Sequence, residues 1–333
     1  MVLYVNRRKI MKSLTAAALS AVSAPVFLKK AQAAQPVICA SLMGDDKPET
    51  KIWIRFSEIV ERKLPGRFYF KIIKNSALGG EREVNEGMRL GSVQASLSTL
   101  SSLSAWVPQT QIFDMPFLFR DADHVAKAAQ GRVGQEIKDR LHQQNFIALD
   151  FINYGVRHLL GKETFSHVET IEDKRIRVIQ SPLHVALWKV LGALPVALPV
   201  TETYDALATG IVDAMDLTVS AYSGFRLFEV APQVTLSGHI WASGVIMFSR
   251  SFWQSCSGEE QKILQEAGIE AAAYFNELMQ DDEEKSRKLA EKNGAVFSDI
   301  EEREKWQKKA YSVWQDFADQ VGGMDKIEFL SKL

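Results

Sequence analysis

The sequence predicts an α/β fold arranged in two lobes, and two observations support this prediction. Strand-like and helix-like segments alternate from residue 36 to residue 98, which is typical of a mixed or mainly parallel sheet covered by helices. About 300 residues follow an N-terminal segment that is not part of the fold, a length that usually divides into two domains or lobes. Because no flexible linker is visible, we expect the chain to cross between the lobes several times.

In the first half of the chain, β-forming residues and apolar periodicity predict five elements. The expected order is a strand at 36–42, a helix at 50–63, a strand at 67–73, a helix at 81–90 and a strand at 93–98. Each helix is indicated by apolar residues that share one face, and Gly91 ends the second of them. Ligands of such sheets bind beyond the carboxyl ends of the strands. We therefore expect residues 41–45 and 98–102 to border a cleft.

The rest of the chain repeats the same two element types. We expect strands at 146–153, 175–180, 213–216 and 243–249, a short strand end at 198–200, and helices at 121–140, 182–191, 203–210, 219–229 and 302–320. Thr201 is placed to cap the helix that starts at 203. Ser257 and Glu260 form a capping box, which opens a helix running to about Lys292 that is long enough to brace both lobes. The alternative is two helices with a break near Asp281.

The N-terminus predicts export, and the remainder divides into the two lobes. Residues 7–12 are basic, residues 14–28 are small and apolar, and Ala-Gln-Ala at 31–33 is typical of a cleavage site, so residues 1–33 are interpreted as an export signal. Its paired arginines resemble a twin-arginine signal, and an ordinary secretory signal is the alternative. The apolar run is shorter than the roughly 20 residues that span a bilayer. We expect a periplasmic protein, with residues 34–155 and 244–282 in lobe I and residues 156–243 and 283–333 in lobe II.

The composition argues against several classes of protein. The chain carries a formal net charge of −1, and its first 33 residues hold six basic and no acidic residues, so the remainder is acidic and has no basic stripe for nucleic acid. Enzyme motifs and metal-ligand spacings are not found, so we expect no catalytic residue, metal or other cofactor. The acidic pairs at 45–46 and 281–282 are interpreted as solvated charge. Cys39 and Cys256 are expected to be buried thiols, with a disulfide as the alternative.

The segment from residue 175 to residue 216 is the most informative part of the chain. Arg175 and Arg177 flank Ile176 in a β-prone run, so both arginines are expected on one face of a strand. An arginine held on a sheet can bind a carboxylate through two parallel hydrogen bonds. The alternative is a solvated edge strand with two surface arginines.

Several motifs extend this segment into an ordered series. They are Leu-Gly-Gly-Glu-Arg-Glu at 78–83, the aromatic run at 113–120, Arg-Ile-Arg at 175–177, Gly-Ala-Leu-Pro at 192–195, the helix motif at 202–213 and Phe-Glu-Val at 228–230. In this order the series resembles the solute-binding proteins of tripartite ATP-independent periplasmic (TRAP) transporters, of the dicarboxylate-binding-protein type. The resemblance implies a two-lobed periplasmic binding protein fold, with mixed sheets, strand crossings between the lobes and a long bracing helix.

The resemblance also implies which residues hold a ligand. Arg177 stands where the family binds the ligand carboxylate. Arg157 falls in a Gly-x-Arg that the family uses as a secondary anion contact, and a salt bridge at the hinge is the alternative. Leu217 replaces the asparagine of the family's Gly-Gln-Glu-Asn motif, which removes one polar contact. Asp216 takes the place of the glutamate, where it accepts from a ligand hydroxyl, orients Arg177 or assists a bound cation.

The remaining ligand-binding candidates are Glu81, Ser98, Thr99, Val200 and Trp241. The hydroxyls of Ser98 and Thr99 either donate to a ligand oxygen or cap the following turn. The side chains of Val200 and Trp241, with Leu217, either line an apolar pocket or belong to the core. Since Leu217 cannot donate a hydrogen bond, we expect a monocarboxylate with an apolar or aromatic body.

These expectations combine into one hypothesis about function. The protein captures a small organic acid by closure of the cleft and delivers it to the small and large membrane subunits of a TRAP permease. Closure is driven only by the difference in ligand affinity between the open and closed forms. One alternative is a ligand-sensing periplasmic protein that reports to a receptor, and a secreted enzyme is a more remote one.

Overall fold

A mixed sheet of nine strands runs through residues 34–333, the part of the chain that the computed structural model describes. The strands are β1 (Gln35–Ala40), β2 (Phe68–Ile73), β3 (Ala95–Thr99), β4 (Phe146–Gly161), β5 (Arg175–Val178), β6 (Leu194–Ala197), β7 (Ala214–Thr218), β8 (Gln233–Ser249) and β9 (Val296–Asp299). Their order across the sheet is β2-β1-β3-β8-β4-β7-β5-β6, and β9 pairs with β8. The predicted α/β class is confirmed. The predicted export signal lies outside the described residues.

Helices cover the sheet. They are α1 (Pro48–Lys63), α2 (Glu81–Leu90), α3 (Leu100–Leu103), α4 (Ala122–Gln130), α5 (Arg132–Gln143), α6 (Pro182–Val190), α7 (Thr203–Ala208), α8 (Val219–Gly224), α9 (Arg250–Ser255), α10 (Gly258–Lys292), α11 (Arg303–Val321) and α12 (Met324–Ser331). Short 3₁₀ helices occur at Pro108–Asp114, Val168–Ile171, Val200–Glu202 and Leu227–Glu229. Among these residues, no helix combines the length and the apolar character needed to cross a membrane.

The predicted β-α-β-α-β order of the first half is confirmed. Strand β1 pairs in parallel with both β2 and β3, and β5 pairs in parallel with β6 and β7. We call β1, β2 and β3 the first half-sheet, and β5, β6 and β7 the second half-sheet. The predicted boundaries of the two lobes stay a prediction.

Two long antiparallel strands join the half-sheets. Strands β4 and β8 have 16 and 17 residues. The C-terminal part of β8 pairs with β3, and the C-terminal part of β4 pairs with β7. The sequence predicted only residues 146–153 and 243–249 of these strands. The remainder is interrupted by irregular register near Gly155 and by a positive φ at Gly238, which break the alternating pattern that marks a strand.

Three local predictions need correction. Thr201 does not cap α7, since the cap position is Glu202 and no side chain caps this helix end. The predicted strand end at 198–200 is wrong, because β6 ends before it and a 3₁₀ turn follows. The single helix predicted at 121–140 is divided into α4 and α5 at Gly131. By contrast, Cys39 and Cys256 are both buried free thiols, as expected.

Helix α10 is the long brace that the sequence predicted. It runs unbroken for 35 residues from a capping box formed by Ser257 and Glu260. Apolar residues such as Phe275 bury one face of it with Trp53 and Phe56 of α1. Further along, α10 contacts α8, which follows β7. One helix therefore packs against elements that belong to both half-sheets.

The interpretation of Asp282 as a solvated charge is wrong. Its carboxylate accepts hydrogen bonds from Lys47 Nζ at 2.8 Å, from Ser220 Oγ at 2.6 Å and from Ser286 Oγ at 3.0 Å. Lys47 precedes α1, Ser220 lies on α8 and Ser286 lies on α10. This buried polar cluster ties three helices together, whereas its neighbour Asp281 is exposed.

Glycine at position 268 lets α10 approach β4 closely. A Cβ added there would lie 2.5 Å from Cδ1 and 2.7 Å from Cβ of Leu149. We expect Gly268→Ala to lower the free energy of unfolding by about 1–3 kcal/mol, since overpacking outweighs the better helix propensity of alanine. On the same helix, a Cβ at Gly258 meets nothing within 4 Å, so Gly258→Ala is the matched control. Thermal unfolding that ranks the two variants equally contradicts this packing.

Candidate functional site

A cleft lies at the carboxyl ends of four strands, two from each half-sheet. Its walls include Ser41 after β1, Thr99 at the end of β3, Ile179 after β5 and Leu217 in β7. The empty volume, including open solvent at the mouth, is about 1120 Å³. Within the predicted borders at 41–45 and 98–102, residues 41–43, 99 and 102 line the cleft, because parallel strands end on the same edge of their sheet. The other residues of the two ranges lie outside the described lining.

Arg177 has a buried guanidinium group, and most of its N–H donors are unpaired within residues 34–333. It lines the cleft and is 2% exposed. Its Nε donates to the backbone oxygen of Leu198 at 2.9 Å, which fixes the plane of the group. Neither of its two Nη atoms has a hydrogen-bond or salt-bridge partner among residues 34–333. Burial and, after it, the nearby charge of Arg157 lower the pKa of Arg177 to about 10, although Asp216 and Glu81 counteract them.

Arg175 has a different environment although it shares the strand. It is exposed, and its Nε and Nη2 both donate to the carboxylate of Asp213, at 3.0 and 2.6 Å. Arg175 thus already makes its bidentate contact with a carboxylate, at the protein surface. Only one of the two arginines of this motif presents free donors to the cleft.

Arg157 and Asp216 form a buried ion pair beside Arg177. Arg157 Nε donates to Asp216 Oδ2 at 2.6 Å, and its Nη2 donates to the backbone oxygen of Asp216 at 2.7 Å. These residues are diagonal neighbours on the paired strands β4 and β7, since Arg157 is opposite Thr218 and Asp216 is opposite Leu159. Burial alone would raise the pKa of Asp216, but Arg157 and His239 hold it well below its ordinary value. Arg157 lines the cleft, whereas Asp216 lies beneath it.

Two histidines surround Asp216 below the cleft. His239 Nε2 lies 3.1 Å from Asp216 Oδ2, and its Nδ1 lies 2.7 Å from Ser237 Oγ. The ring nitrogens of His184 lie 3.9 Å from Asp216 and 3.7 Å from Asp114. All of these side chains are buried. The hydrogen-bonded part of the floor therefore runs from Ser237 through His239 to Asp216, which fixes the guanidinium of Arg157. The side chains of His184 and Asp114 have no hydrogen-bond partner among the described residues.

Glu81 brings a carboxyl group into the same cleft. Its Oε1 accepts from the backbone N–H of Thr99 at 2.6 Å, and its Oε2 accepts from Thr99 Oγ1 at 2.9 Å. Burial raises the pKa of Glu81, while Thr99, Arg177 and Arg157 counteract this rise. Both candidates thus line the cleft, and the hydroxyl of Thr99 also caps α3.

Other candidates are divided between the cleft and the core. Val200 and Leu217 line the cleft, where Ala221 and Phe225 add apolar surface. Trp241 packs at the edge of a hydrophobic core and is outside the described lining.

Ser98 lies outside the described lining as well. Its hydroxyl donates to Asn85 Oδ1 at 2.6 Å. Within the described part of the chain, one surface group has ligand atoms close enough to share a cation: His167, Glu169 and Glu302. None of these three residues lines the cleft.

Sequence reasoning missed Glu49 and Tyr154, which both line the cleft. Glu49 is in the first turn of α1, where acidic residues are common because they favour the helix dipole. Tyr154 lies in the part of β4 that the sequence did not predict. Nothing in their spacing indicates that residues 49 and 154 face one cavity.

Comparison with known families identifies the family to which the chain belongs. A family model described as bacterial extracellular solute-binding protein, family 7, matches residues 39–320. The chain belongs to this family. A C4-dicarboxylate-binding periplasmic protein of Shewanella loihica is 25% identical over 284 residues, which cover 84% of each chain.

Solved structures agree with this membership. A TRAP periplasmic solute-binding protein of Xanthobacter autotrophicus with bound β-D-galacturonate has a TM-score of 0.85 at 26% identity, covering 89% of this chain and 99% of that one. Another from Shewanella oneidensis with bound succinate has a TM-score of 0.86 at 25% identity, covering 90% and 99%. The predicted TRAP identity and two-lobed fold are confirmed. The family 7 member described here is a periplasmic solute-binding protein of TRAP transport.

The ion pair between Arg157 and Asp216 predicts a large stability difference between two aspartates. We expect Asp216→Ala to cost about 3–5 kcal/mol of unfolding free energy, because it leaves a buried guanidinium without its partner. The pair stabilises the fold at neutral pH and is lost only as the pH falls through the depressed pKa of Asp216. Asp213→Ala, which breaks the exposed pair with Arg175, is the control and should change the melting temperature little. Similar losses in both variants contradict the argument.

Proposed function

We propose that the cleft binds a small organic acid and that Arg177 holds its carboxylate. The observation that carries the proposal is a buried guanidinium whose two Nη atoms have no partner among the described residues, while Nε is anchored to Leu198. A carboxylate that accepts from both Nη atoms satisfies these donors and offsets the desolvation of the charge. Lysine offers no such planar pair of donors.

Arg157 is proposed as the second contact to the same carboxylate. Its Nε and Nη2 are used by Asp216, which leaves Nη1 for the cleft. The two guanidinium groups repel each other, since Arg157 lowers the pKa of Arg177 after the larger effect of burial. An anion placed between them relieves this repulsion. Arg157 is therefore proposed to form the salt bridge with Asp216 and to contact the ligand carboxylate at the same time.

The body of the ligand is proposed to be apolar or aromatic, with one carboxylate at Arg177. The support is the apolar wall formed by Val200, Leu217, Ala221 and Phe225, since apolar surface in a cleft favours an apolar ligand group. The structural neighbours differ, because they bind galacturonate and succinate, a sugar acid and a dicarboxylate. The proposal thus assigns this cleft a ligand with fewer hydroxyl groups than galacturonate and with one carboxylate fewer than succinate.

Capture is proposed to proceed by closure of two lobes around the ligand. The ligand contacts residues of both half-sheets, such as Thr99 on one side and Arg177 on the other. It favours the closed form to the extent that it binds this form more tightly. The closed complex then docks on the small and large membrane subunits of a TRAP permease. Binding, closure and docking involve no chemical step. Family membership favours transport over sensing or catalysis.

The assignment of Arg177 predicts a loss of ligand-induced stabilisation. A carboxylate that binds the folded protein raises its melting temperature. We expect Arg177→Ala to weaken binding about 100-fold or more, because two charge-assisted hydrogen bonds are lost. Thermal unfolding with a panel of aromatic, keto and sugar acids provides the measurement, and the unfolding of each variant without ligand shows whether it is folded.

Arg175→Ala is the matched control, since it removes an arginine of the same strand whose donors are already used. It should leave the ligand-induced shift nearly unchanged. Equal effects of the two substitutions contradict the assignment. A panel without any shift in the wild-type protein contradicts the binding of organic acids itself.

A further inference from the structure

Besides Glu81, the cleft contains the carboxyl group of Glu49, one oxygen of which accepts no hydrogen bond from the described residues. Glu49 lines the cleft and is 7% exposed, and its Oε2 has no hydrogen-bond partner among the described residues. The nearby ammonium group of Lys47 is 2.8 Å from Asp282, and Glu49 forms no salt bridge with a described residue. A buried carboxyl without a donor is costly. A donor from outside the chain removes this cost.

Tyr154 lines the same cleft as this carboxyl group. Its ring packs edge-on against Phe275, with the two ring centroids 5.5 Å apart. Glycine at position 244 leaves space for the ring, since a Cβ there would lie 2.5 Å from Tyr154 Cε2. Burial raises the pKa of Tyr154, and the charges of Glu81 and Glu49 raise it further. Its hydroxyl has no hydrogen-bond partner in the part of the chain that the structure describes.

We propose that Glu49 and Tyr154 form a second recognition subsite, which takes a hydroxyl or ammonium group at the end of the ligand remote from its carboxylate. The inference rests on the proposed function, because Arg177 must hold that carboxylate. Charge balance supports it. Arg157 is already paired with Asp216, so a carboxylate bound to Arg177 leaves neither of these two guanidinium groups for Glu49, whose Oε2 has no donor among the described residues. A donating group on the ligand supplies one.

The protonation of Glu49 gives the subsite a measurable property. The pKa of Glu49 is raised to about 7, chiefly by burial; its own backbone N–H and Lys47 counteract this rise, and Asp282 and Asp46 add to it. These groups and Tyr154 are the charged or titratable neighbours of Glu49. A ligand donor stabilises the ionised carboxylate, so binding releases a proton and affinity increases with pH around this value. A second ligand carboxylate needs a protonated Glu49, which gives the opposite trend.

Calorimetry with chain-matched probes tests the subsite. Four acids of equal length are compared at several lengths: an alkanoate, its terminally hydroxylated and terminally aminated forms, and the dicarboxylate. We expect the wild-type protein to bind at least one donor-terminated acid about tenfold or more tightly than the alkanoate, the gain of one charge-assisted hydrogen bond. This preference should increase from about pH 6 to about pH 8. The hydroxyl and amine probes show which donor is used.

Three variants locate the effect. Glu49→Gln should lose the preference and its pH dependence while still binding the alkanoate, and Tyr154→Phe should reduce the preference. Asp45→Asn is the control and should behave as wild type, since Asp45 is an exposed carboxylate paired with Lys74. Thermal unfolding without ligand verifies that each variant is folded.

Other outcomes overturn the subsite and leave acid binding intact. They are equal binding of the alkanoate and both donor-terminated acids, a preference that survives Glu49→Gln, and tightest binding of the dicarboxylate with affinity that decreases as the pH rises. If no probe and no acid of the wider panel binds the wild-type protein, the proposed function fails, and the subsite that rests on it fails too.

Discussion

The buried ion pair between Arg157 and Asp216 is the constraint on which the site depends. It links the two paired strands β4 and β7 at the point where they reach the cleft. Asp216 neutralises one guanidinium and leaves Arg177 as a cation with free donors beside it. Without that pairing, two buried arginines would compete for one anion and repel each other. The fold thus creates a local positive charge within an acidic protein.

Desolvation strengthens the electrostatic interactions of the Arg177 guanidinium. Both arginines are buried and Glu81 is half-buried, and desolvation is the largest influence on the pKa of each. Water screens charges poorly in such a place, so a correctly placed carboxylate gains more than it would at the surface. Arg175 illustrates the contrast, because its exposed pair with Asp213 forms in a high-dielectric environment. Two arginines separated by one residue therefore lie in different electrostatic environments.

The sequence predicted those features that depend on local pattern. Alternation, a capping box and the motif around Arg177 were enough for the α/β class, helix α10 and the carboxyl ends that border the cleft. Prediction failed where distant segments meet. The middle of β4 and β8 contains irregular register and glycine, and the polar role of Asp282 depends on Lys47 and Ser220 from two other helices. Glu49 and Tyr154 were missed for the same reason, since only the tertiary fold brings them to one cavity.

The cluster around Asp282 connects the architecture with the second carboxyl group of the cleft. Lys47 is two residues from Glu49, yet its ammonium group is held by Asp282 and Ser286 at 2.8 and 2.7 Å. The cation that would otherwise neutralise Glu49 is thereby engaged in joining α1 to α10. Asp282 also raises the pKa of Glu49, after the larger effect of burial. The interaction that fixes α1 against the bracing helix therefore also leaves Glu49 Oε2 without a partner among residues 34–333.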